Sequence, residues 1–425
     1  AHGVQGAADP RSRVFHAAIP ATCGACHARV YAEYRKSRHG QALNAGIRQA
    51  PVCTDCHGEH TIRMARDPAS LVYRGAVTKT CAVCHDSQRL TATFGLPTDR
   101  LTTFLDSYHG LASRGGDLHT ANCASCHGWH DVLPSTDTAS RVHPRNISRT
   151  CGQCHPGAST TLASAGRLHG RAGSGEHPLV RLARLFYAVV IPLTIGGMLL
   201  HNAADWLRKA VSDPGGPHDD GLRMTRHERL QHAALLNAFA TLAYSGFALK
   251  VPEAWWGTPF RLAGGEGLRK AVHRWTALVF VLTGLWHAAY MLGTARGRDL
   301  LANRLWPRLR DLTDPVRLLA YNLGLARARP VLPTPCYIER AEYWALIWGS
   351  LVMAGTGALL VFNGYSLRHF PLWVTTFATL VHFLEAVLAC LSVPAWHFYW
   401  TIFDPAVYPM NWAWLTGRVK REPRP

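Results

Sequence analysis

Apolar residues are distributed unevenly along the 425 residues of the chain. Residues 1–178 are rich in Gly, Ala, Thr, Arg and His, and the long apolar runs begin only after them. Five apolar stretches follow, each close to the ~20 residues that a helix needs to cross a bilayer. One such stretch would also suit a buried helix of a soluble protein, but five in succession favour a membrane domain. We predict spans at about residues 179–203, 230–250, 271–293, 341–363 and 371–395.

The change in composition near residues 174–178 divides the chain into two predicted domains, residues 1–178 and 179–425. Lys and Arg are concentrated in the cytoplasmic loops of membrane proteins. The most basic segments should therefore face the cytoplasm, and they are residues 208–229, 296–340 and 418–424. With an odd number of spans, the C-terminus is then cytoplasmic and the first domain lies on the other side, which for a bacterial inner membrane is the periplasm.

The motif Cys-x-x-Cys-His occurs five times in the first domain and uses ten of the twelve cysteines. In this motif two thiols attach covalently to the vinyl groups of a haem, and the His takes one axial position on the iron. Zinc and disulfide sites fit poorly, because every cysteine pair is followed immediately by His. We predict five c-type haems, held by Cys23, Cys26, Cys53, Cys56, Cys81, Cys84, Cys123, Cys126, Cys151 and Cys154, with His27, His57, His85, His127 and His155 as proximal ligands. Such attachment normally takes place outside the bacterial cytoplasm, and the start at Ala1 fits removal of a secretory signal.

The first domain also contains an internal repeat with a period of 70 residues, since residues 37–40, 53–60 and 81–85 return as 107–110, 123–130 and 151–155. Five histidines outside the attachment motifs belong to this repeat or to a further copy of its first element. They are the candidates for the second axial positions, namely His39, His60, His109, His130 and His169. The sequence does not determine which of them serves which iron.

Coordination by two histidines leaves an iron no open position for a substrate, so such haems conduct electrons rather than catalyse. The order Ser-x-His-Gly followed by Cys-x-x-Cys-His-Gly-x-His resembles the repeats of multihaem c-type cytochromes over roughly residues 20–170. We expect sparse secondary structure there, with short helices near the attachment motifs. The predicted fold class is mainly α: a pentahaem c-type domain followed by a five-helix transmembrane bundle.

Histidines inside the predicted spans form a second set of candidates, because ionisable groups within a membrane usually have a partner or a ligand. His273 and His287 are 14 residues apart in the third span, and His382 and His397 are 15 apart at the fifth. Both separations are about four helical turns, or ~21–23 Å, so each pair lies roughly on one helix face. This arrangement suits two b-type haems, one above the other across the bilayer.

Residues 222–417 resemble the cytochrome b subunits of formate dehydrogenases and nickel-iron hydrogenases. The matching motifs are Arg229-Leu-Gln-His232, Tyr244-Ser-Gly246, His273-Arg274-Trp275, Tyr343-Trp344, Thr356-Gly357, His382-Phe-Leu-Glu385-Ala386 and His397-Phe-Tyr399. The resemblance implies two b haems held by four helices, with His273 and His382 on the outer side and His232 and His397 on the inner side. The first span is then an addition that tethers the haem c domain.

Two roles in the membrane domain stay open at this stage. His287 lies at the depth of His397 and is an alternative to His232 as the inner ligand, although we favour His232. Whichever is displaced, together with His201, is a candidate to line a quinone pocket or to accept its protons. Glu385 follows His382 by one turn, and it is either a proton relay, a hydrogen-bond partner of a ligand or a structural contact.

The net charge of +18 would also suit nucleic acid. We expect no nucleic acid, because haem propionates offset part of the charge and many arginines flank the spans. The expected partners are membrane lipid, menaquinone or ubiquinone, and a periplasmic redox protein or the other subunits of a respiratory complex.

The sequence therefore predicts electron transfer between the quinone pool and a periplasmic partner through two b haems and five c haems, most simply as a quinol dehydrogenase. One alternative is an electron-transfer anchor subunit of a larger respiratory oxidoreductase. Another is a quinone reductase that runs in the opposite direction, and a third is a terminal enzyme in which one c haem lacks its distal His.

Overall fold

The computed structural model describes residues 4–156, 169, 177–211, 222–333 and 335–418. The described residues are mainly helical and form no strand, apart from one isolated antiparallel bridge between Leu222 and Arg418. The predicted mainly α class is therefore confirmed.

Short helices joined by turns make up the part of the chain before residue 157. They contain five to nine residues each and are Ile19–Gly24, Ala28–Lys36, Arg38–Asn44, Cys53–His57, Val77–His85, Gln88–Phe94, Arg100–Leu105, Tyr108–Arg114, Cys123–His127 and Ile147–Gly152, with a 3₁₀ turn at His16–Ala18. Helices this short are marginal on their own. Each therefore depends on local capping and on what packs against it.

Five helices are long and apolar enough to cross a membrane, as predicted. They are Pro178–Val211, Arg226–Lys250, Gly265–Gly293, Tyr337–Val361 and Leu372–Phe403, called here the first to fifth spans. The first extends eight residues beyond the predicted end at residue 203, because the helix continues through a polar turn that contains Asp205 and Lys209. Further helices lie at Thr258–Ala263, Ala295–Asp299, Arg310–Asn322, Asn363–His369 and Ala413–Thr416, with a 3₁₀ turn at Trp255–Gly257 and a π-helical segment at Leu300–Leu305.

The fifth span changes its winding near its end. Regular α-helix runs over Leu372–Ser392, and two π-helical segments follow at Val393–His397 and Tyr399–Phe403. Pro394 has no N–H to donate to the preceding turn, so the helix widens there instead of stopping. The apolar pattern predicts an end at residue 395, but the widened turns carry the helix past His397.

The chain forms two compact units. The first consists of Ala1–Gly175 with Phe247–Arg269 and Gly364–Leu372, and the second contains the rest. The two added segments join the second span to the third and the fourth to the fifth. Within the first unit, Arg114 forms an ion pair with Glu253 at 3.4 Å. An added Cβ on Gly115 would come within 3.2 Å of Glu266, which is itself buried and paired with Arg269.

Candidate functional site

Four pairs of histidine rings lie close together in the first unit, with interplanar angles between 18° and 47°. Each pair joins one attachment-motif His to one of the repeated histidines, and the ring centres are 6.2–6.3 Å apart: His85 with His39, His57 with His130, His155 with His109, and His127 with His169. Two imidazoles that share one metal ion, each with a nitrogen about 2 Å from it, have ring centres roughly 6 Å apart. The pairs therefore fit an iron between them.

The surroundings of these rings favour the neutral imidazole, which is the form that binds metal. Burial lowers the pKa of His39 to about 4, and the nearby His85 adds to the shift. Burial likewise lowers the pKa of His109 and of His127. Among the residues that the structure describes, no group of three or more His, Cys, Asp or Glu side chains is arranged to hold a bare metal ion. A porphyrin would supply the four remaining donors that each histidine pair lacks.

Cysteines of successive attachment motifs lie close together in space. The thiols of Cys23 and Cys53 are within hydrogen-bonding reach, and so are those of Cys81 and Cys123. Burial raises the pKa of the Cys126 thiol to about 11, and the proximity of Cys151 adds to the shift. Haems attached at these positions would therefore be close neighbours in the order of the sequence.

The Ser-x-His-Gly element positions the distal histidines through a cap and a close backbone approach. The Ser37 hydroxyl accepts a hydrogen bond from the Gly40 N–H at 3.1 Å, and Ser107 does the same for Gly110 at 3.2 Å. A Cβ on Gly40 would collide with the carbonyl oxygen of Tyr34. The element therefore needs Ser to start the helix and Gly to let the preceding turn approach.

A second local arrangement precedes three of the attachment motifs, and sequence reasoning missed the copy before Cys23. The Thr immediately before the motif donates to a carbonyl nine residues earlier, from Thr22 to Arg13 at 2.7 Å, from Thr80 to Leu71 at 2.6 Å and from Thr150 to Arg141 at 2.7 Å. A Ser eleven residues before each motif donates to a carbonyl seven residues back, and these are Ser12, Ser70 and Ser140. The spacing from Ser to Thr-Cys is visible in the sequence and could have identified the Cys23 motif as a copy.

Within residues 4–156, His60 does not lie against the His of an attachment motif. The side chain of His60 is 93% exposed and lies 4.0 Å from Glu59, and His27 is exposed as well. Within residues 4–156, neither ring lies against another aromatic or imidazole ring. His169 is described, but Leu168 and Gly170 of its predicted element lie outside the described residues.

Two further pairs form within the spans of the second unit. His273 faces His382 with ring centres 6.4 Å apart, and His232 faces His397 at 6.3 Å. His287 does not join either pair. Its Nδ1 lies 2.8 Å from Gln231 Oε1, and its Nε2 lies 3.2 Å from the Tyr343 hydroxyl.

Hydrogen bonds to Nδ1 orient three of these four rings and leave Nε2 directed at the partner. Ser245 contacts His273 at 2.8 Å, Thr356 contacts His382 at 2.9 Å, and Glu342 contacts His397 at 3.3 Å. Such partners fix the orientation of metal-binding imidazoles. The residue after each hydroxyl is Gly246 or Gly357, where an added Cβ would approach the ligand ring to 3.6 or 3.3 Å. The Ser-Gly and Thr-Gly motifs thus form two copies of one arrangement.

Buried polar contacts bind the first span to the fifth. The Tyr187 hydroxyl donates to Glu385 at 2.7 Å, and Lys209 lies 2.8 Å from both Asp205 and Asp404. The geometry therefore gives Glu385 a contact to the first span. His201 is buried, with Nε2 2.6 Å from the Tyr337 hydroxyl and its ring against Trp396 and Trp400.

Comparison with family models matches residues 11–86 to the family described as cytochrome c7 and related cytochrome c. The match spans three of the attachment motifs, so this part of the chain is a multihaem c-type cytochrome domain that binds haem covalently. Searches of curated proteins and of solved structures gave no significant match. The chain therefore combines a cytochrome c domain, which indicates electron transfer, with five helices that indicate a membrane protein.

Proposed function

We propose that the protein carries electrons between a membrane quinone and a redox partner in the periplasm, through two b haems and five c haems. The observation that carries this proposal is the set of six histidine pairs, all with ring centres 6.2–6.4 Å apart, of which two lie within the spans. Because both axial positions are filled at each pair, these irons would exchange electrons without binding substrate.

The position of the pairs along the spans supports an ordered path. His273 and His382 are near the ends of their spans that adjoin Phe247–Arg269 and Gly364–Leu372, the two segments that belong to the first unit. His232 and His397 are near the opposite ends. Electrons would pass from the inner pair to the outer pair and then into the cytochrome c region.

The contacts of the first unit indicate where that path continues. The helix Tyr108–Arg114 carries His109. The Arg114–Glu253 ion pair holds this helix to Phe247–Arg269, the segment between the second and third spans. The adjacent helix Arg100–Leu105 contacts His169 through Thr103. The haems of His155 and His127 would thus receive electrons from the membrane. The haem of His27, at the other end of the series of cysteines, would deliver them.

A polar cluster beside the inner pair is our proposed quinone site. It contains His287, Gln231, Tyr343 and Glu228, and Glu228 also binds Tyr290 at 2.9 Å and Arg296 at 2.9 Å. Gln231 Nε2 is buried and makes no hydrogen bond. A quinone carbonyl would accept a hydrogen bond from such a donor, and His287 and Glu228 would take up the protons that oxidation of a quinol releases.

The test follows b and c haem absorbance after quinol addition to the oxidised holoprotein in anaerobic nanodiscs. We expect the b haems to be reduced before the c haems. Replacement of His287 by Ala should keep both b haems but slow reduction by about tenfold or more, since a contact worth about 1.4 kcal/mol is lost. Replacement of the exposed His369, which stacks on Tyr365, is the matched control.

The proposal fails if neither menaquinol nor ubiquinol analogues, nor the corresponding quinones, exchange electrons with the b haems. Loss of a b haem in the His287→Ala variant, with both retained in His232→Ala, would instead make His287 the inner ligand.

A further inference from the structure

The two histidine pairs within the spans differ in what their ring Nδ1 atoms contact. In the outer pair, the Nδ1 atoms of His273 and His382 each contact a neutral hydroxyl group. In the inner pair, the Nδ1 of His397 lies 3.3 Å from a carboxylate oxygen of Glu342, and the Nδ1 of His232 is buried without a hydrogen bond. A carboxylate therefore lies directly behind the inner pair, whereas hydroxyl groups lie behind the outer pair.

No Lys or Arg side chain forms an ion pair with this carboxylate within the part of the chain that the structure describes. The ion pair of Glu342 there is its contact with His397, and its second oxygen, Oε1, is buried without a hydrogen bond. Arg340, two residues earlier on the same helix, pairs with Asp311 instead at 2.6 Å. The charge of Glu342 is therefore available to act on His397 and on the metal that this ring would bind.

We propose that Glu342 lowers the midpoint potential of the inner b haem below that of the outer one, so that electrons pass outward from the inner haem. This inference rests on the proposed function and deepens it by giving the path a direction. An anionic acceptor at Nδ1 increases electron donation from the imidazole to the iron, and its charge favours the more positive ferric state. One electron leaves the inner iron, which becomes ferric, and reduces the outer iron to the ferrous state. Glu342 acts through His397 and itself exchanges neither an electron nor a proton.

The experiment is an anaerobic redox titration of the full-length holoprotein in nanodiscs with chemical mediators, followed by the absorbance of the b haems. The variants His382→Ala and His397→Ala identify the two haems, because the first should retain the inner haem and the second the outer one. We expect the inner haem to titrate at the lower potential. Glu342→Gln should favour its ferrous state by about tenfold, or about 59 mV for a one-electron couple, and leave the outer haem unchanged. Glu339→Gln, one turn earlier on the same helix and paired with Arg223, should shift neither haem.

Two results would overturn the inference: an inner haem that titrates at or above the potential of the outer one in the unmodified protein, or an unchanged inner potential in the Glu342→Gln variant. If that variant loses its inner haem, the order of the two potentials in the unmodified protein decides. Because mediators replace the quinone, the titration is independent of the quinone site. Failure of every quinol and quinone to exchange electrons with the b haems would refute the proposed function, whereas the shift caused by Glu342→Gln would still stand.

Discussion

The histidine pairs of the two units have the same spacing but are supported in different ways. In the first unit the helices that carry paired histidines contain five to nine residues, and they bury few apolar side chains, namely Val77, Leu111, Ala112 and Ala124. In the second unit the pairs stand mainly on helices of 21–29 residues. We therefore expect the first unit to depend on covalent haems for its packing, whereas the second has long apolar helices to define it.

The largest effect should follow from removing one covalent haem. Replacing Cys123 and Cys126 by Ser should lower the mass by one haem and destabilise the first unit by more than about 4 kcal/mol, because the pair of His127 and His169 loses the group between its rings. It should also abolish electron transfer from quinol to the haems of His85, His57 and His27, which follow on the proposed path. Mass spectrometry, limited proteolysis and thermal unfolding measure these effects. An unchanged melting temperature in the variant with one haem fewer would contradict the claim that the first unit depends on its haems for packing.

Removing one b haem ligand should have a smaller effect on the fold. We expect His382→Ala to lose one of the two extractable haems, while the five covalent haems and the helical content are retained. The reason is that Glu385 of the fifth span, and Asp404 directly after it, keep their contacts to the first span. Extraction into acidified acetone followed by absorbance gives the count, with His369→Ala as control. Loss of covalent haem in this variant would show that the two units are not independent.

Replacing Gly110 by Ala should disturb one distal histidine without removing it. The added Cβ would meet the carbonyl oxygen of Phe104, and relief of that overlap should cost about 1–3 kcal/mol and move His109. We expect the haem of His155 to bind carbon monoxide, because His109 would no longer fill its second axial position. Gly6→Ala, where nothing lies within 4 Å of the added Cβ, should have no effect. A normal spectrum for Gly110→Ala would refute the role of the close approach.

The smallest effect should follow from removing a hydroxyl group that forms a hydrogen bond to one of the outer b-haem ligands, His273 or His382. Thr356→Ala removes the hydrogen bond to His382 Nδ1, and losing such a contact behind a metal ligand weakens metal retention by roughly tenfold. Thr379→Ala on the fifth span is the control, because that hydroxyl bonds only to the Thr375 carbonyl. Haem retention during dilution in detergent provides the measurement. Equal retention in both variants would exclude an orienting role for Thr356.

The sequence could predict what local patterns determine. Five attachment motifs, five apolar stretches and the helix class follow from the spacing of Cys, His and apolar residues, and the helices are confirmed. Helix ends were less predictable, because Pro394 widens the fifth span instead of ending it.

The pairing of histidines could not be predicted, since the partners are 42–73 residues apart; two pairs lie within one repeat, whereas His57 pairs with His130 of the other repeat and His127 pairs with His169. Exact translation of the repeat gives His60 the same role as His130. His130 pairs with His57, the attachment-motif His of the other repeat, whereas the side chain of His60 is 93% exposed. The hydrogen bonds of Ser245 and Thr356 depend on tertiary contacts and were also not predictable.

The most direct test of the account is the number and attachment of haems in the purified protein. Intact mass should show five haems bound by thioether links, and extraction into acidified acetone should release two more per chain. Fewer than five covalent haems, or no extractable haem from the membrane-embedded part, would contradict the assignment of one haem to each attachment motif and to each histidine pair within the spans.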